Sequence, residues 1–67
     1  MKVLLNGEHT EVADDATLRE VLAGLGVEPR RGVAVAVGGE VVPRGEWGAR
    51  VLEDGTRVEV VSAVQGG

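Results

Sequence analysis

Hydrophobic positions along the chain recur with a period of two, then of three to four, then of two again, and each change of period marks a change of element. From Lys2 to Val12, two β-prone runs flank Asn6-Gly7. Asparagine and glycine both tolerate positive φ, which a tight turn between twisted antiparallel strands requires at its central positions, so this segment predicts a β-hairpin. Thr17-Leu18-Arg19-Glu20 has capping-box spacing: the Thr17 hydroxyl accepts from the Glu20 amide while the Glu20 carboxylate reaches back. Leu18, Val21, Leu22 and Leu25 follow at i, i+3, i+4 and i+7 as one apolar stripe, and Gly24 or Gly26 supplies a left-handed stop. So short a helix is marginal alone and must lie against a sheet. After the loop Pro29-Arg30-Arg31-Gly32, the run Val33-Ala34-Val35-Ala36-Val37 presents valines on one face of a strand and flat alanines on the other. Gly38-Gly39 turns the chain into Glu40-Val41-Val42, which Pro43 ends by removing a backbone donor. Arg44 to Ala49 reads as a loop or single turn around Trp47, and Glu53-Asp54-Gly55-Thr56 as a further turn. Arg57 to Ser62 is the last strand, with Val58 and Val60 on one side and Glu59 and Val61 on the other.

The element order is ββαβ(β)β. Two hairpins separated by one helix, crossing a mixed sheet of four to five strands, make an α+β fold of the β-grasp type, with the first and last strands paired in parallel at the centre. Sixty-seven residues hold one such domain, assigned to 1–62. Composition sharpens the picture of its core: 14 valines, six leucines and one aromatic, Trp47, predict an aliphatic interior with the tryptophan as a plug. The absence of cysteine excludes a disulfide scaffold, a thiolate metal site, an iron-sulfur cluster and thiol catalysis. Eleven acidic against seven basic residues, a net charge of -4, argue against nucleic acid as a partner. The longest apolar run, Val33 to Gly39, is too short to span a membrane, and no signal-peptide order follows Met1. The expectation is a cytoplasmic protein without membrane contact, complete from Met1 to Gly67.

Candidate chemistry is sparse. His9 beside Glu8 and Glu11 lacks the company a metal needs and reads as a solvated strand position. Gly24-Leu25-Gly26 closes a helix instead of opening one after a strand, so it is no dinucleotide fingerprint. Asp14-Asp15 is explained by the positive end of the helix that follows, and Arg44 by local pairing with Glu46 or Glu40. No triad, catalytic acid pair, phosphate loop or metal set remains, so catalytic residues and bound cofactors are expected to be none. The end of the chain is different. Ala63-Val64-Gln65-Gly66-Gly67 runs past the last strand, and two terminal glycines arise from this composition with a chance of roughly 3%. A frayed terminus is the bland reading. The functional one makes the Gly67 carboxylate a reacting group: adenylation by ATP turns its oxygen into a leaving group, and residues without Cβ let an enzyme channel approach the backbone closely. Residues 63–67 are then a flexible tail.

Gly39-Glu40-Val41-Val42-Pro43-Arg44 with Trp47, then Val51-Leu52-Glu53-Asp54-Gly55, Arg57-Val58-Glu59-Val60-Val61 and Ala63-Val64-Gln65-Gly66-Gly67, resembles the sulfur carrier proteins of thiamine biosynthesis, the ubiquitin-like ThiS family. The resemblance covers the whole length, and Val-Pro-Arg-x-x-Trp with Asp-Gly and Gly-Gly is more specific than Gly-Gly alone. It implies that a partner adenylyltransferase uses ATP on Gly67, that a sulfur-donating enzyme converts the adenylate to a thiocarboxylate, and that this passes sulfur to thiazole synthase. Gly67 is then the modified residue, and Gly66, Gln65 and Val64 are the threaded ones. Gly38 and Thr56 depart from the family pattern, where many members carry asparagine and a second aspartate; both are turn positions.

The chain is thus expected to be a carrier acted on by other enzymes, docking through a flat apolar patch of Ala34, Ala36 and Val61 bordered by Glu59. Three alternatives stand beside it. A molybdopterin-type sulfur carrier shares the Gly-Gly end, though Val-Pro-Arg-x-x-Trp favours the thiamine branch. A ubiquitin-like modifier would join Gly67 to lysines, and a noncovalent binding module would work unchanged without the tail.

Overall fold

Asn6 and Gly7 both adopt positive φ, 48° and 86°, and fold the first hairpin between β1 (Lys2–Leu5) and β2 (Glu8–Glu11), in the register Leu5 opposite Glu8. This is the primed turn whose twist matches that of its strands. The computed structural model describes residues 1–27 and 32–62. Within them β3 (Val33–Val37), β4 (Glu40–Val41) and β5 (Arg57–Ser62) complete a five-stranded sheet in the order β2-β1-β5-β3-β4. β1 and β5 run parallel at its centre, and the other neighbouring pairs run antiparallel. The loop over residues 28–31 lies outside the described residues.

The helix α1 (Leu18–Gly24) has the capping box that its sequence specifies, with Glu20 N–H donating to Thr17 Oγ1 at 3.2 Å and Thr17 N–H donating to Glu20 Oε1 at 2.8 Å. At the other end Gly26 takes φ 78°, its N–H reaches Ala23 O at 3.1 Å, and Val27 N–H reaches Leu22 O at 2.8 Å. These two bonds form the Schellman stop that only a residue free of Cβ strain accommodates easily. One member of the expected stripe is corrected: Leu25 is 43% exposed. A period of 3.6 carries a side chain to the core only while the helix continues, and α1 ends one residue earlier, leaving Leu25 as its C-cap.

Leu18, Val21 and Leu22 pack with Val3, Val35, Val37, Val58, Val42, Leu52 and Trp47 into one core. Trp47 is buried to 1% exposure, and its indole N–H donates to Val42 O at 2.9 Å, so the plug is also polar-satisfied. It follows a single 3-10 turn, Arg44–Glu46. The Gly38-Gly39 turn has φ of 60° and 85°, another hairpin of the primed type, and Thr56 N–H closes the next turn on Glu53 O at 3.1 Å. Both departures from the family pattern therefore sit in well-formed turns.

Candidate functional site

The N-terminus of α1 is closed to ligands by its own chain. Leu18 N–H donates to Arg50 O at 2.8 Å and Arg19 N–H to Trp47 O at 3.1 Å, while Glu20 N–H donates to Thr17 Oγ1 and Thr17 N–H to Glu20 Oε1. All four amides that a helix leaves open are thereby satisfied. A shallow groove runs beside this helix between the β2–α1 connection and α1, rimmed by Glu11, Asp14, Asp15 and Glu20. Its acids are mostly engaged. Asp14 and Glu11 hold the Met1 ammonium at 3.0 and 3.3 Å, and their hydrogen bonds, Asp14's first, outweigh partial desolvation and raise its pKa above the ordinary value. Glu20 is held below the ordinary carboxylate range by the Thr17 backbone N–H and then by the Thr17 hydroxyl.

Two charge assignments are corrected here. Asp14 does not serve the helix end: Asp15 at φ 60° turns the chain, and Asp14 meets Met1 instead. Glu40 pairs with Arg50 at 3.7 Å, not with Arg44. Arg44 and Glu46 stand two apart in a turn with three residues per repeat, so their side chains diverge. Among the described residues no group of three His, Asp or Glu side chains comes together as a metal site, and no helix is long and apolar enough to cross a membrane. His9 is exposed on β2, opposite Leu4.

The open face of the sheet is where the sequence-predicted residues meet. Strand alternation buries Val35, Val37 and Val58 against α1 and turns Ala34, Ala36, Glu59 and Val61 to the other face. The register pairs Ala34 with Val61 and Ala36 with Glu59, so the four are cross-strand neighbours. They line a second shallow groove together with Val41, which lies opposite Ala36 across the β3–β4 hairpin. Val41 and Val61 are 69% and 63% exposed, an unusual position for two β-branched apolar side chains side by side with alanines. Val41 was missed in the sequence. Its signal was there in the two-residue Gly38-Gly39 turn, which fixes the register and hence the face. Val64, Gln65, Gly66 and Gly67 lie outside the described residues; β5 leads to them through Val61 and Ser62, at the border of the apolar groove.

Residues 3–67 match the ThiS family. The chain belongs to that family. A solved thiamine biosynthesis protein, ThiS of Geobacter metallireducens, superposes with a TM-score of 0.83 at 32% identity, each chain covered to 100%. The architecture is accordingly the ubiquitin-like β-grasp. The sulfur carrier protein ThiS of Thermus thermophilus is 46% identical over 97% of this chain and 98% of its own, and that of Escherichia coli is 28% identical with both chains covered to 100%. The chain is also 43% identical over its full length to a protein of Magnetococcus marinus named thiazole synthase, but spans only 20% of that relative's length. The same holds for a second thiazole synthase, of Paramagnetospirillum magneticum, at 34% identity and 20% of its length.

Proposed function

We propose that this chain is a sulfur carrier in thiamine biosynthesis whose C-terminal glycine bears the sulfur. The observation that carries the reading is the family match, which extends through Gly66-Gly67. The domain 1–62 is the handle, and 63–67 is the segment presented to enzymes. An oxygen of the Gly67 carboxylate attacks the α-phosphorus of ATP on a partner adenylyltransferase, and pyrophosphate leaves. A sulfur donor at the sulfide level then adds to the acyl-adenylate carbonyl and expels AMP, so the terminal carbon keeps one oxygen and gains one sulfur. A thiocarboxylate so formed is a nucleophile at sulfur, suited to delivering that atom to thiazole synthase. Glycine suits the position because it leaves the carbonyl unhindered and lets a channel close on the backbone. ATP belongs to the partner in this scheme. That two relatives named thiazole synthase each contain a stretch similar to this entire chain supports the proximity of carrier and synthase.

Docking falls to the open sheet face. Ala34, Ala36, Val41 and Val61 offer a flat apolar surface, and Glu59 at its edge gives a partner one charge by which to set orientation. The decisive experiment is the intact mass of the chain recovered from the cytoplasm of its native host, where the reading requires replacement of one C-terminal oxygen by sulfur. Isopeptide conjugates through Gly67 without any thiocarboxylate would instead establish a protein modifier. Full thiazole formation by a chain lacking Gly67 would establish a noncovalent module.

A further inference from the structure

Asn6 does more than form a turn. β1 ends at Leu5, opposite Val58, whereas β5 continues for four more residues to Ser62. Gly38 N–H donates to Arg57 O on the β3 side, so by alternation Val58, Val60 and Ser62 direct their N–H and C=O toward β1. Val58 is met there by Asn6 N–H at 2.8 Å. At Val60 the strand partner has already turned away, and the Asn6 side chain takes its place: Oδ1 accepts from Val60 N–H at 2.8 Å and Nδ2 donates to Val60 O at 3.4 Å. A carboxamide carries the same donor and acceptor as a peptide unit, so Asn6 extends the parallel ladder by one rung where the backbone has no strand to offer. Val60 directly precedes Val61 of the apolar groove and lies two residues before Ser62, where β5 ends.

We propose that Asn6 is a positioning residue that anchors the outgoing end of β5, so that an activating enzyme meets Val61 and Ser62 already ordered. The proposal rests on the carrier reading. Ordering a strand end on binding costs affinity, so a pre-anchored one binds more tightly at an unchanged chemical rate. The turn needs only positive φ, which glycine and aspartate also supply; the ladder rung needs the amide. Asn6→Gly therefore keeps the hairpin and removes the rung. Asn6→Asp keeps the acceptor but sets a carboxylate oxygen against Val60 O.

The test is amide hydrogen exchange of the wild type, N6G and N6D, together with ATP–pyrophosphate exchange driven by an adenylyltransferase over a range of carrier concentrations. The expected result is exchange at Val60 about tenfold faster in N6G, the scale of one net hydrogen bond, with Leu4 and Val35 little changed. The half-saturating carrier concentration should rise several-fold at an unchanged plateau rate, and N6D should not restore it. Unchanged exchange at Val60, or an unchanged half-saturating concentration, would overturn the proposal while leaving an active wild type as a carrier. A wild-type chain that drives no pyrophosphate exchange refutes the carrier reading, and the positioning role with it.

Discussion

At the scale of the residue, Trp47 holds the fold, while under the carrier reading Gly67 does the chemistry. Trp47 fills the largest buried volume and donates its indole N–H to Val42 O. Trp47→Phe retains a ring but leaves that buried carbonyl unpaired, and should cost about 1–3 kcal/mol in urea unfolding followed by circular dichroism. For a domain whose core supplies roughly 3–5 kcal/mol, that loss is large. Removing Gly67 should leave stability within about 0.5 kcal/mol, the usual range for changes away from packed features. Under the carrier reading the same deletion abolishes pyrophosphate exchange. The chain would then end about 3.5 Å short of the reacting position, and even 1 Å of misplacement can cost about 100-fold.

Elements of this chain hold their ends by local bonds, and those bonds give it a pH dependence. Glu20 in the capping box has its pKa lowered by Thr17, so the folded state gives up this proton more readily than the unfolded chain does. The associated stability is fully present above the ordinary glutamate value near pH 4.3 and is lost as pH falls through the lower folded value. The Met1 ammonium is shifted upward by Asp14 and Glu11, so its contribution is complete below an ordinary value near pH 8 and is lost as pH rises through the folded one. Thr17→Ala should flatten the acid limb of a stability-against-pH curve and lower stability by about 0.5–2 kcal/mol at neutral pH. Asp14→Asn should flatten the alkaline limb alone. Leu22→Ala acts in the middle of the same helix, where a truncated core leucine costs about 2–5 kcal/mol, and should leave little folded protein at 25 °C by circular dichroism.

Over the whole molecule, the sheet separates its two faces by residue size: valines toward α1, alanines and a few exposed valines toward solvent. Under the carrier reading, this open face is the docking surface beside the end of β5. Val61→Asp should weaken adenylation by the partner at least tenfold in pyrophosphate exchange, because an unpaired charge resists burial in an interface. It should leave unfolding little changed, since Val61 is 63% exposed. Equal exchange by V61D and the wild type would place the docking surface elsewhere.

The hairpin at Asn6-Gly7, the capping box at Thr17 and Glu20, the Val-Ala alternation of β3 and the burial of Trp47 were legible in the sequence because each rests on local geometry or on sheer apolar area. A turn that needs positive φ, or a strand that alternates with period two, depends on neighbours along the chain and little else. The Gly66-Gly67 end stands out in the sequence on chemical grounds that need no fold, and its role belongs to the carrier reading. What the tertiary structure decided lies between segments distant in sequence. The exposure of Leu25 depended on where α1 stopped, the Glu40–Arg50 pair on how the loop after Trp47 returned, and the diversion of Asp14 to Met1 on the path of the chain end. Asn6 shows the limit most clearly. Its turn was written in two adjacent residues, but its second role depends on Val60, 54 positions away. Only the parallel pairing of β1 with β5, which no local period encodes, brings that backbone within reach of its side chain.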